Sequence, residues 1–211
     1  METPDTSAVT TQALPEQDEH VRTRLLNAAV RVFDRKGYAG ASVREIAEMA
    51  GVTKPAVYYH FGSKEGLLMA ILEQAKRDVD EAIGRAVART GTARQRILGL
   101  CEDVYALFGQ NVPIARVAHA VFLGPPDGAP PFDVTVFEAR FRGALEQIAS
   151  DGVAAGEVRN GTVGDIALAV MGILEGCNDR QLHPAFVPVG LAGLRRQMNL
   201  LFDGVMIAPR A

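Results

Sequence analysis

The stretch Lys54 to Lys64, KPAVYYHFGSK, sets two lysines, two adjacent tyrosines and a histidine around very few apolar side chains. Ammonium and phenol groups donate to phosphate oxygens, and imidazole, phenol and ammonium all bond to base edges. Successive residues on a helix point about 100° apart, so Tyr58 and Tyr59 do not both pack inward. At least one ring is expected to face outward, and the short side chains of Pro55 and Ala56 would let a partner approach the backbone.

Such a surface needs elements to hold it. Val21, Leu25, Ala28, Ala29, Val32 and Phe33 mark one apolar helical face, which Gly37 is placed to end. Ser42 and Glu45 form an S-x-x-E capping box, and Val43, Ile46, Ala47 and Ala50 then give a short second helix ending at Gly51. Thr53 is the N-cap expected for a third helix to Phe61, with Pro55 tolerated in its first turn. Ser63 caps a fourth helix, carrying Leu67, Leu68, Ile71, Leu72 and Ala75, that continues to about Val87.

Two short helices joined by a tight glycine turn after a longer helix predict a helix-turn-helix, in which the second short helix enters the DNA major groove. Val57 and Phe61 are expected to face the core with Ile46 and Val52. Net charge is −3, which by itself does not suggest a nucleic-acid partner. The distribution does: residues 1–19 hold five acids and no base, whereas residues 20–65 hold eight bases against four acids.

The ordered set of F-x-x-x-G-Y at Phe33 to Tyr38, S-V-R-E-I-A at Ser42 to Ala47, A-G-V-T-K at Ala50 to Lys54 and Y-Y-H-F-x-S-K-E at Tyr58 to Glu65 resembles the N-terminal domain of the tetracycline-repressor (TetR) family of bacterial one-component transcription factors. The resemblance covers Arg24 to Glu73. It implies that Ser42 and Arg44 touch phosphate or the groove, that Thr53, Lys54, Pro55, Ala56, Tyr58, Tyr59 and His60 form the recognition surface, and that Lys64 holds phosphate. Many relatives have glycine where this chain has Pro55, whose ring removes a backbone donor. His60 has the alternative of capping or packing, and Arg44 that of pairing with Glu48.

Beyond Gly91 the Gly and Pro punctuation predicts helices at about 93–109, 112–123, 133–155, 164–181 and 188–206, with an extended loop at Gly124 to Pro131. The expected fold is all-α, with about nine helices: a tail over residues 1–17, a helix-turn-helix domain over 18–65 and a larger helical ligand-binding and dimerisation domain over 66–211. Leu191, Leu194, Met198, Leu201 and Val205 follow an a/d spacing suited to pairing with another helix, in the same chain or in a second copy. Family resemblance implies a homodimer built from the last two helices.

Tyr105, Phe108, Phe122, Phe137, Phe141 and Met171 are candidates for the wall of an apolar cavity, with His119, Glu175, Asn178 and His183 as polar anchors. The resemblance implies a small effector there, apolar in the main, whose binding separates the recognition helices. No cofactor or metal is called for, and no apolar run approaches the roughly 20 residues that span a bilayer, so a cytoplasmic protein is expected. Two other readings remain. Cys101 or Cys177 with His119 or His183 would make an enzyme, but no nucleophile elbow, phosphate loop or metal-spaced cluster accompanies them. A protein-binding adaptor with an unused helix-turn-helix is the other.

Overall fold

Caps and glycines divide the chain close to where the sequence puts them. The computed structural model describes residues 13–123, 128–130 and 132–205, and all nine elements among the described residues are helices. The chain divides into two compact units, Met1–Ile71 and Leu72–Ala211, with the division inside the fourth helix.

In the first unit, α1 (Ala13–Gly40) is interrupted at Gly37, where φ of 69° and ψ of 172° break the helical path as the sequence anticipates. It begins inside the stretch expected to be a tail, of which residues 1–12 lie outside the described residues. Leu25, Ala29 and Val32 are fully buried on its inner face. α2 (Val43–Ala50) starts at Ser42, whose hydroxyl accepts from Glu45 N at 3.2 Å. Only half of the expected capping box forms, because the Glu45 carboxylate turns away to Arg35 and Lys36. α3 (Lys54–Phe61) starts at Thr53, which has the extended backbone of an N-cap but makes no side-chain cap bond. Pro55 has no N–H to offer that hydroxyl. α4 (Lys64–Ala88) opens with the Ser63 hydroxyl accepting from Gly66 N at 3.0 Å.

The second unit holds the rest of α4 with α5 (Ala93–Gln110), α6 (Val112–Leu123), α7 (Val134–Ala154), α8 (Val163–Leu182) and α9 (Gly190–Val205). A reciprocal capping box between Thr92 and Gln95 fixes the start of α5. Ile97, Leu100 and Val104 of α5, Leu145 and Ile148 of α7, and Ile166 and Val170 of α8 make one core. Of the loop expected at Gly124 to Pro131, residues 124–127 and 131 lie outside the described residues. Among the described residues no helix is long and apolar enough to cross a membrane.

Of the two alternatives for the α9 stripe, packing within the same chain describes most of it, while Leu191 stays 43% exposed. Leu194, Met198 and Phe202 are fully buried in the core of their own chain, and Leu201 packs against it. The side chain of Val205 lies outside the described residues. The outward face of α9 carries Leu200, which is 77% exposed. Cys101 and Cys177 are buried free thiols, and burial pushes both above the ordinary thiol range, which disfavours the thiolate that nucleophilic chemistry requires.

Met198→Ala is expected to cost about 2–5 kcal/mol in chemical denaturation, as truncation of a filled core does. The loss should not depend on protein concentration. A loss that grows on dilution would place Met198 at a contact between chains.

Candidate nucleic-acid interface and ligand cavity

The turn between α2 and α3 decides which side of α3 faces outward. Gly51 takes the left-handed conformation, φ 65° and ψ 38°; its N–H reaches Glu48 O at 3.1 Å, and Val52 N reaches Ala47 O at 3.0 Å. This doubly bonded helix end needs a residue without a Cβ penalty. From α1, the Arg24 guanidinium covers the same turn: Nε donates to Ala50 O at 2.9 Å and Nη2 to Gly51 O at 2.8 Å. A Cβ on Gly51 would lie 3.1 Å from Arg24 Nη2. Arg24 has no sequence signal of its own, because its partners are backbone atoms distant in the chain.

With the turn fixed, Val57 and Ile46 are fully buried, and Phe61 is half-buried with the Arg22 guanidinium 5.4 Å over its ring. Thr53, Lys54 and Pro55 are exposed, and Ala56 is half-buried beside them. Tyr58 is 46% exposed and Tyr59 is 77% exposed, and Lys54 Nζ lies 5.9 Å from the centre of the Tyr58 ring. Two phenols and an ammonium therefore stand on the open side of α3, while its opposite side is locked to the core.

Other residues read as DNA contacts are placed differently. The His60 side chain is only 7% exposed, with Nε2 3.5 Å from Asp18 Oδ1 of α1, so the packing alternative describes it. Lys64 Nζ donates to Tyr38 O at 2.9 Å and Ala41 O at 3.1 Å and sits 4.3 Å over the Tyr38 ring, which ties α4 to the α1–α2 connection. Arg44 pairs with Glu48 at 2.7 Å, as its own alternative had it, but both side chains are well exposed. An exposed pair of this kind is worth little, so exchanging Glu48 for a phosphate costs Arg44 little. Ser42 is exposed at the start of α2, its hydroxyl already accepting from Glu45 N.

In the second unit a cavity of about 380 Å³ opens among α4, α5, α6, α7 and α8. Phe108, Phe122, Phe137, Phe141 and Met171 line it, as do His119, Glu175 and Asn178. Tyr105 does not: it is buried in the core, and its hydroxyl accepts from Gly190 N at 3.1 Å. Sequence reasoning missed Ile114, Ala115 and Ala118 of α6, and Phe132, whose ring is tilted against Phe122 with centres 5.3 Å apart. It also missed the α4 contribution of Lys76, Asp78 and Val79; the i, i+4 pair of Ala75 and Val79 was the available signal.

The cavity wall is mostly apolar; Lys76 and Asp78 of α4, Glu138 of α7 and Asn111 are polar members of it, and a polar cluster stands where α6 and α8 meet. There His119 Nε2 lies 3.1 Å from Glu175 Oε1 and 3.0 Å from Asp179 Oδ1. Ligand atoms of these three residues lie within 4.8 Å of one another, a spacing that suits a cation site as well as a hydrogen-bonded cluster. Nearby, Asn178 is 2% exposed and its Oδ1 finds no hydrogen-bond partner.

The first unit thus holds a helix-turn-helix and the second an all-α body with a largely apolar cavity. Residues 25–71 match the family described as "Bacterial regulatory proteins, tetR family". The HTH-type transcriptional activator FasR of Mycolicibacterium smegmatis is 38% identical over 84 residues, which is 40% of this chain and 38% of that protein. Two crystal structures share the fold: the TetR family transcriptional regulator PfmR of Thermus thermophilus, with a TM-score of 0.70 at 24% identity over 85% of this chain and 97% of its own, and NalD of Pseudomonas aeruginosa, the secondary repressor of the MexAB-OprM multidrug efflux pump, with 0.68 at 22% over 90% and 98%. Residues 25–71 carry the tetR-family domain, and the chain spans about two fifths of the length of the curated relative it matches first.

Gly51→Ala forces a Cβ into the left-handed region beside Arg24 and is expected to cost about 1–2 kcal/mol of stability, read from urea denaturation. Arg24→Ala, which leaves two carbonyls without their donor, should cost about 1 kcal/mol.

Glu45 gives the pH dependence of the same unit. Hydrogen bonding from Lys36, with Arg35 adding to it, holds its carboxyl below the ordinary value of 4.5. Because the folded value is the lower one, the stabilisation is complete above 4.5 and is lost as pH falls from there through the folded value. Thermal midpoints should therefore drop on acidification below that point in the native protein and drop less in Glu45→Gln.

Proposed function

We propose that the chain is a ligand-responsive transcriptional repressor of the cytoplasm that reads double-stranded DNA as a homodimer. The observation that carries this reading is the open face of α3, where Lys54, Tyr58 and Tyr59 are exposed while Val57 anchors the other side. Tyr59 and Tyr58 reach base edges and sugar-phosphate, Pro55 and Ala56 leave room for thymine methyls, and Thr53 keeps an uncommitted hydroxyl for phosphate. Ser42 and Arg44 flank the groove from the start of α2. Lys64 retains one N–H beyond its two carbonyl bonds, and His60 acts by holding α3 to α1 rather than by touching bases.

Two recognition helices must lie about 34 Å apart to read successive turns of one DNA face, which calls for two copies. The outward faces of α8 and α9 suit that contact: Leu168 is 69% exposed and Leu200 77% exposed, and Gly172 and Gly176 offer no side chain to hold a second helix away. The cavity is the effector site. α4 contributes Lys76, Asp78 and Val79 to its wall and begins, at Lys64, in the DNA-reading unit. An effector that binds the DNA-incompetent state more tightly shifts the population away from the operator. FasR is an activator by name and NalD a repressor by name, so the sign of regulation is read by in vitro transcription.

Fluorescence anisotropy on DNA from upstream of the chain's own gene, at about 50 and 200 mM salt, tests the reading. Affinity should fall with a log-log slope of about −0.9 per contacted phosphate, and Lys54→Ala should make the slope shallower by about that amount. Tyr58→Ala and Tyr59→Ala should each weaken specific binding by about tenfold or more. Binding that is insensitive to salt, or to all three substitutions, would instead favour the helical adaptor with an unused helix-turn-helix.

A further inference from the structure

We propose that the cavity accepts a cationic amphiphile, an apolar body of aromatic size ending in a protonated amine that donates to Asn178 and Glu175. The inference rests on the reading of this cavity as the effector site and names the chemistry of what enters it.

Five phenylalanines, Phe108, Phe122, Phe132, Phe137 and Phe141, with aliphatic neighbours make most of the wall, which selects an apolar body. Apart from Lys76, Asp78, Asn111 and Glu138, the polar residues of the wall gather at one pole, and there the balance is one-sided. Asn178 is 2% exposed, and its carbonyl oxygen is buried without a partner. Buried acceptors are nearly always paired, so this one points to a missing donor. Beside it in the cavity wall stands Glu175. His119 sits between the carboxylates of Glu175 and Asp179 at 3.1 and 3.0 Å. One imidazole faces two carboxylates, so this pole is net negative whether or not His119 carries its second proton.

The cation that lines the cavity elsewhere is already engaged. Lys76 Nζ lies 3.2 Å from Asp80 Oδ2, the next turn of its own helix. The acids Asp78 and Glu138 are engaged too, with Gln74 at 2.8 Å and Arg142 at 3.1 Å. A ligand carboxylate would therefore bring a like charge to Glu175 and no donor to Asn178. A hydroxyl satisfies Asn178 but leaves the charge unanswered, whereas an ammonium answers both and also favours the aromatic ring faces nearby. The cavity volume of about 380 Å³ lies at the lower end of small-molecule sites and fits a single-ring body better than a fused polycycle.

An isosteric series separates these cases: 4-phenylbutylamine, 4-phenylbutanol and 4-phenylbutyrate, titrated calorimetrically into the full chain without DNA. The amine is expected to bind about tenfold or more tightly than the acid, with the alcohol between them, as a charge-assisted bond at a partly desolvated site implies. Glu175→Gln should bring the amine down to the alcohol and leave the alcohol unchanged. Asn178→Leu should weaken the amine by about tenfold while the empty protein melts no lower, because an unpaired buried acceptor has been removed. A merely structural Asn178 would show the reverse: unchanged amine affinity and a lower melting temperature. The proposal is overturned if the acid binds as tightly as the amine, if none of the three binds, or if Asn178→Leu binds the amine like the native chain. Because the titration contains no DNA, its failure leaves operator binding to be judged separately by anisotropy.

Discussion

The left-handed residue at Gly51 is the constraint on which the DNA-reading unit depends. A helix end of this kind turns the chain sharply enough for α3 to begin within a few residues of the end of α2, and Arg24 then bonds the carbonyls that the turn leaves bare. Once that angle is set, Val57 has one place to go, and the phenols of Tyr58 and Tyr59 have one side left to them. Rotating α3 by a single residue, about 100°, would bury a tyrosine and expose the valine. The reading surface is therefore specified by packing on the far side of the helix.

Charge on this unit is organised by the same logic. Half of the eight basic groups in residues 20–65 serve the fold first: Arg24 and Lys64 hold backbone carbonyls, and Arg35 and Lys36 share Glu45. Arg24 and Lys64 rigidify the unit at little cost to its positive field, since backbone acceptors carry no full charge, whereas Glu45 offsets one of the two charges of Arg35 and Lys36. Arg44 and Lys54 are of another kind. They are solvent-exposed, held only by Glu48 and by an aromatic face, and so are released cheaply to a phosphate. A rigid basic scaffold with a few loosely held cations at its edge suits a surface that must keep its shape and still neutralise a polyanion.

Local physics was legible from the sequence and long-range pairing was not. The ends of α2, the start of α4 and the break at Gly37 follow from caps and glycines whose partners lie within a few residues. The walls of the cavity were legible too, because aromatic residues at helical spacing mark a face. What they could not mark is depth: Tyr105 belongs to the same face as Phe108, yet its hydroxyl bonds to Gly190 N in the core. The α9 stripe shows the limit most clearly. A spacing of three and four is the same whether the partner helix is in the same chain or another, and here α5 and α8 supply the partner surface to Leu194 and Met198. His60 and Arg24 depended on atoms of other helices, Asp18 and the carbonyls at Ala50 and Gly51, that no local pattern names.

The two units meet opposite demands on polar groups. On the open face of α3, polar side chains are exposed, and water satisfies them. In the cavity, Asn178 is withdrawn from water among apolar side chains, and an unpaired carbonyl there destabilises the empty protein. Retaining such a group makes sense where occupancy of the site is meant to change the stability of one conformation relative to another. Under the proposed effector reading, a donor arriving at Asn178 would relieve that penalty in whichever conformation offers the cavity. The free energy of relief then enters as differential affinity between states, which a ligand needs in order to shift a population at all.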